Sequence, residues 1–246
     1  MAVHNKSAAV HVRRQRGGLS IWGEEPKAGE VYTIGIDSSE GIRGGDYSCA
    51  QVVANSDCRQ AAMYHGLYDP NEWGRLTVQL GRHFNDAMLA YEVGASTHGT
   101  TAALCALNLG YPNLYRRRIL DAVEKKWTNR LGWETKERTK RQLLDRIRYA
   151  LAQGTVIADA ETVRELLGGR VVEGGVGGNK IEFAGHDDRV IALGIALVVR
   201  DDTWSEGGQH DAEEKLTDPS DLHWQEFERS FERGSRFSRQ PANPPG

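Results

Sequence analysis

Three carboxylate sites stand where elements of regular structure end or begin. Asp37 closes the apolar run Val31-Tyr32-Thr33-Ile34-Gly35-Ile36 and opens into the turn-rich Ser38-Ser39-Glu40-Gly41. Glu92 ends a second run, Met88-Leu89-Ala90-Tyr91, and Asp187-Asp188 precedes a long apolar stretch from Val190. Carboxylates on separate elements can meet in space, and oxygen ligands gathered in that way suit hard divalent cations. A pair of such ions drives in-line phosphoryl chemistry. Metal-assisted cleavage of a phosphodiester is the chemistry these residues predict.

Each acid also has an ordinary structural role. An Asp after a strand often bonds its own turn backbone, and Asp187 and Asp188 both suit the free amides of a helix start, one capping while the other ligates. Glu92 follows a strand that reads as buried, where a carboxylate needs a ligand or an ion pair. Asp46, in Gly44-Gly45-Asp46, is equally a loop residue or an accessory ligand. His186 is read as a hydrogen-bonding turn residue without a catalytic role. The glycines between 174 and 178 lack a following Lys-Ser/Thr and precede a strand, so they suggest a hairpin tip and not a phosphate cradle. Arg116-Arg117-Arg118, Lys125-Lys126-Trp127 and Lys136 to Arg141 are suited to backbone phosphates. The interleaved Asp121, Glu124, Glu134 and Glu137 leave a solvated charged face as the competing reading.

The elements that must position these residues are legible in the apolar periodicity. Residues 31–36, Tyr47 to Ala54 and Gln60 to Tyr68 read as an antiparallel meander, the last two strands joined through Asn55-Ser56-Asp57. Asp69-Pro70-Asn71-Glu72 opens a helix. Asp caps it, Pro suits its first position, and Trp73, Leu76, Leu80 and Phe84 share a face. A buried strand at 87–93 follows, then a helix from Thr97 to Leu109 stopped by Gly110, a short segment from Asn113 to Arg118 and an irregular charged stretch. A helix from Glu137 to Gln153 carries the stripe Leu143, Leu144, Ile147, Ala150 and Leu151. Residues 160–167 suggest another helix, Arg170 to Val172 with Lys180 to Phe183 a hairpin, and Asp187 to Val199 a nearly all-apolar helix packed on a sheet. Residues 1–28 lack periodicity and read as a flexible N-terminal arm or linker, 29–200 as one α/β domain, and 201–246 as a mobile tail.

Length and composition agree with one domain, since 246 residues at 39% hydrophobic suffice for a full core. The formal net charge of −3 averages a basic stretch between Arg116 and Arg148 with an acidic tail beyond Asp201. Cys49, Cys58 and Cys105 form no Cys-x-x-Cys spacing, which argues against a disulfide framework or a zinc knuckle and for a reducing interior. No apolar run is long enough to span a bilayer, and no apolar segment follows Arg13, Arg14 and Arg16, so neither a membrane nor export is expected.

The order of elements, with acids at the first strand, the fourth strand and the last helix, resembles a ribonuclease H-like nuclease. That fold is an α/β structure whose mixed central sheet has antiparallel strands 1–3 and then parallel strands, flanked by helices. More narrowly, four pieces resemble the nuclease domain of tailed-phage terminase large subunits over about residues 18 to 199: Gly35-Ile36-Asp37 with Gly44-Gly45-Asp46-Tyr47-Ser48, Glu92 with Gly99, Gly132-Trp133-Glu134-Thr135 with Thr139-Lys140, and Gly185-His186-Asp187-Asp188-Arg189-Val190-Ile191-Ala192-Leu193. The resemblance implies an endodeoxyribonuclease using two Mg²⁺ or Mn²⁺ ions. Asp37 would bridge them, Glu92 would hold one and Asp188 the other, with Asp187 and Asp46 as secondary ligands. It implies concatemeric double-stranded phage DNA as substrate, an ATPase motor domain, a portal and a small terminase subunit as partners, and the cytoplasm of the infected bacterial host as the place of action. Lys140, in the family-like Thr-Lys element, becomes the leading DNA contact, with Lys136, Arg138, Arg141, Arg116, Arg117 and Arg118 behind it.

Two features depart from the family pattern. An asparagine commonly stands two positions after the second acid, where this chain has Gly94, and no Gly-x-x-x-x-Gly-Lys-Ser/Thr phosphate loop occurs, so a nuclease unit without the motor, excised or separately encoded, is expected. A junction resolvase shares the same acids, and a DNA- or procapsid-docking module without cleavage is a non-enzymatic alternative. An actin-like sugar kinase also begins on a Gly-Ile-Asp strand but needs a second nucleotide-binding lobe.

Overall fold

The computed structural model describes residues 12–16, 18–94, 97–120, 125–172 and 180–205. Strands β3 (Tyr32–Asp37), β4 (Ser48–Ala54) and β5 (Gln60–Gly66) form the expected antiparallel meander. β6 (Met88–Tyr91) joins β3 in parallel, with Ile34 opposite Leu89 and Ile36 opposite Tyr91. Two earlier strands, β1 (Val12–Arg16) and β2 (Leu19–Trp22), extend the sheet beyond β5 in the order β1-β2-β5-β4-β3-β6. The sheet therefore reaches into the span expected to be an arm, and Leu19, Ile21 and Trp22 are buried. Strands of five and four residues are too short for an apolar period to register.

Pleat parity assigns the two faces of the sheet. Tyr32, Ile34 and Ile36 of β3 pack with Trp73, Leu76 and Leu80 of α1 (Pro70–His83) and with the alanines of α2 (Thr97–Asn108). Asp69 caps α1 as expected, its side chain accepting from the amides of Asn71 and Glu72. The opposite face receives α5 (Asp188–Ser205), which meets Cys49 and Val53 of β4 and Ala90 of β6. Behind α5 lie α3 (Glu137–Ala152), through Leu143, Leu144 and Ile147, and α4 (Ala160–Leu167). α5 runs to Ser205, so residues 201–205 of the expected tail are helical, and Asp201 pairs with Arg146.

Two strands replace the stretch read as irregular. β7 (Arg116–Leu120) and β8 (Trp127–Leu131) form an antiparallel hairpin whose side chains are largely exposed, which is why no apolar alternation betrays it. The chain on either side of the hairpin touches the sheet edge, where Leu114 and Trp133 bridge in parallel to Leu89 and Glu92. Among the described residues, the parallel strands expected after β6 shrink to these bridges. β9 (Gly169–Val172) and β10 (Lys180–Phe183) pair as the sequence suggests. The glycine tip expected between them and the tail from 206 onward lie outside the described residues.

Candidate metal and nucleic-acid site

Asp37 and Glu92 are neighbours because β3 and β6 run parallel and in register. Ile36 faces Tyr91, so the next residue on each path is an acid, and the Glu92 amide donates to the Ile36 carbonyl at 2.7 Å. Asp37 shares the sheet face of Gly35, two residues earlier. A Cβ on Gly35 would lie 2.0 Å from the Ala192 carbonyl oxygen and 2.5 Å from the Ala196 amide nitrogen, so glycine is what lets α5 rest on the strand. With Ala192 seated over Gly35, Asp188, one helical turn earlier, is brought to Asp37. Gly99 serves Glu92 from the other side, since a Cβ there would meet the Glu92 carbonyl oxygen at 1.8 Å.

The electrostatics follow from this convergence. Burial, then the Glu92 carboxylate with which it shares a hydrogen bond, then Asp188 and Asp187 raise the Asp37 carboxyl well above the usual aspartate range. Asp188 is 6% exposed. Burial pushes its pKa up to about 6, opposed by the Tyr47 amide, which donates to Oδ2 at 3.3 Å, and reinforced by Asp46. Arg189, next in the chain, is engaged by Glu165 at 2.5 Å and Asp159 at 3.6 Å. Glu165 also accepts from the Arg189 amide, which helps satisfy the start of α5. Carboxylates crowded out of water cannot all ionise alone, and a hard dication relieves the same conflict. The oxygen donors of Asp37, Glu92 and Asp188 fit Mg²⁺ or Mn²⁺ on these grounds.

Asp187 and Asp188 part company. Asp188 turns into the cluster, whereas Asp187 accepts from Lys140 Nζ at 2.6 Å. Lys140, expected as the leading DNA contact, is thus an ion-pair partner at the edge of the acids, with its ammonium 5.2 Å from the Phe183 ring centre. Among the described residues, the potential ligand atoms that all lie within 4.8 Å of one another are those of Asp46, His186 and Asp188, a group that includes neither Asp37 nor Glu92. His186 Nδ1 lies 3.1 Å from Asp46 Oδ1 and 4.0 Å from Asp188 Oδ2. His186 does hydrogen-bond, as its turn role anticipated, but its partner Asp46 stands 140 residues earlier, which nothing local in Gly-His-Asp-Asp announces.

The other basic residues divide. Arg116, Arg117, Arg118, Lys136 and Arg138 line a groove of 1150 Å³ between the β7–β8 hairpin and the start of α3. Arg141 lines an adjoining depression of 640 Å³ with Arg146 and Tyr149, which shares Arg138 and Gln142 with the groove. Glu134 holds Arg117 and Lys136, each at 2.8 Å, and its Cγ lies 4.0 Å from where a Cβ on Gly94 would stand. Trp127 and Trp133, read in the sequence as members of a basic run and of the family-like Gly-Trp-Glu-Thr element, both line this groove.

No family model matches the chain, and no curated protein matches it. Among solved structures, the large terminase nuclease of thermophilic phage G20c with bound magnesium superimposes with a TM-score of 0.57 at 18% identity, covering 75% of this chain and 89% of that one. The same nuclease with bound cobalt gives 0.56 at 19% over the same shares. The large terminase nuclease domain of Thermus phage P74-26 gives 0.52 at 19%, covering 74% of this chain and 86% of that one. The chain has the large-terminase nuclease fold. Within that fold, a ribonuclease H-like architecture, the acids of this chain occupy the ends of β3 and β6 and the start of α5. No helix among the described residues is long and apolar enough to cross a membrane.

Proposed function

We propose that the chain is the nuclease domain of a terminase large subunit: a metal-dependent endodeoxyribonuclease that cuts concatemeric double-stranded phage DNA during genome packaging. It would act in the cytoplasm of the infected host, alongside an ATPase motor, a portal and a small terminase subunit. One observation carries the reading. Asp37 and Glu92 follow adjacent in-register strands, and α5, resting on Gly35, starts at Asp188, in a fold like that of terminase nucleases. Two Mg²⁺ or Mn²⁺ ions, when bound, would lower the pKa of a water and stabilise charge on the scissile phosphate and its leaving oxygen. Asp37, whose carboxyl is raised by burial and by Glu92, Asp188 and Asp187, would hold the ions together with Glu92 and Asp188, with Asp187 and Asp46 as assistants. The arginines of the groove hold the DNA backbone and carry no base information.

The test is plasmid nicking in Mn²⁺ by Asp37→Asn and Asp188→Asn. Both should fall below detection while the fold and most DNA binding persist, and Asp187→Asn should be milder. Nicking by Asp37→Asn at the wild-type rate would refute the metal assignment. DNA binding without nicking by the wild-type chain would favour the docking module instead.

A further inference from the structure

We infer that the groove beside the acid cluster is a single-strand channel, in which an unpaired nucleotide stacks on Trp127 while its backbone runs along the arginines; this rests on the nuclease reading above. Trp127 is 59% exposed at the end of β8, with the Arg118 guanidinium carbon 4.7 Å from its ring centre. An indole held open by a stacked arginine has a use for a base whose face is free. Bases in a duplex present no such face, whereas sequence-tolerant single-strand sites combine aromatic platforms with cations that track the backbone.

Two residues of the lining also carry buried donors without a partner among the described residues. Trp133, on its floor, is 4% exposed, and its indole N–H has no hydrogen-bond partner among the described residues. Arg117 Nε is likewise without an acceptor, although the same guanidinium reaches Glu134 through Nη2. The groove is joined to the acids through the backbone. The Trp133 amide donates to the Tyr91 carbonyl at 2.8 Å and the Trp133 carbonyl accepts from Val93 at 2.6 Å, so the residues on both sides of Glu92 are tied to the groove floor.

The test measures binding of a labelled oligothymidylate and of a blunt duplex of equal length to the full chain, in EDTA, with wild type, Trp127→Ala and Trp127→Phe. Removing one stacking platform should weaken the single strand by about tenfold or more. The duplex should change less than twofold, and Trp127→Phe should keep most of the single-strand affinity. Equal losses on both substrates, or no loss on the oligothymidylate, would overturn the channel. Plasmid nicking in Mn²⁺ by the wild-type chain separates the two readings, because its absence refutes the nuclease and leaves the stacking result to decide the channel.

Discussion

Gly35→Ala tests whether backbone contact between strand and helix builds the metal site. The added Cβ would stand 2.0 Å from the Ala192 carbonyl oxygen and 2.5 Å from the Ala196 amide nitrogen, both main-chain atoms that no rotamer change can move aside. Reaching even a tight contact requires the helix and strand to separate by about 1 Å, and forced overpacking of that kind costs about 1–3 kcal/mol. α5 has little room behind it, since a Cβ on Gly194 would already meet Leu143 Cβ at 2.6 Å. A loss of that size lowers the melting temperature of a domain this long by about 2–4 °C per kcal/mol. Asp188 moves with α5 while Asp37 stays with the sheet, and misplacing reacting groups by about 1 Å costs on the order of 10²-fold in rate. Melting curves and Mn²⁺-supported plasmid nicking, measured at a temperature where the variant is fully folded, separate the two effects. Nicking should fall far more than the folded fraction. A variant that melts and cuts like the wild type would refute the account of how α5 delivers Asp188.

The Lys140–Asp187 pair sets a competition that calorimetry can read. Lys140→Met removes a cation 2.6 Å from an acid of the cluster, so Mn²⁺ should bind the DNA-free protein several-fold more tightly, and unchanged affinity would remove Lys140 from the site's charge balance. The acids also predict a pH signature. Asp188 is raised to about 6 and Asp37 is raised as well, so each binds its proton more tightly folded than unfolded. For Asp188, stability of the metal-free protein is full below about pH 4 and declines as pH rises through about 6. Mn²⁺ competes for the same oxygens, so the rise in melting temperature that it produces should grow over that window. A gap that stays constant between acid and neutral pH would contradict the assignment.

The acids were legible in the sequence because their placement is local. A strand that runs out into glycine and serine, and a helix that starts on acid, announce where Asp37 and Asp188 stand before any contact is known. α1 and α3 were legible for the same reason, the cap and stripe of α1 and the stripe of α3 lying within a few turns of chain. Residues 12–22 gave no such signal, being short strands beside arginines, and only pairing with β5 makes them part of the sheet. The β7–β8 hairpin was hidden because both its faces meet solvent and leave no alternation to read.

The roles of the charged residues were decided by tertiary structure alone. Lys140, Arg141 and Arg138 are nearly adjacent in the chain, yet Lys140 pairs with Asp187, Arg141 lines the smaller depression and Arg138 lies between that depression and the groove, lining both. Helical geometry spreads consecutive residues around the axis, so neighbours in sequence look toward different partners. The site itself depends on contacts between distant segments: Gly35 with Ala192, and Asp46 with His186. Periodicity records which side of an element faces a core, but which element meets it there is set by packing between parts of the chain that share no local signal.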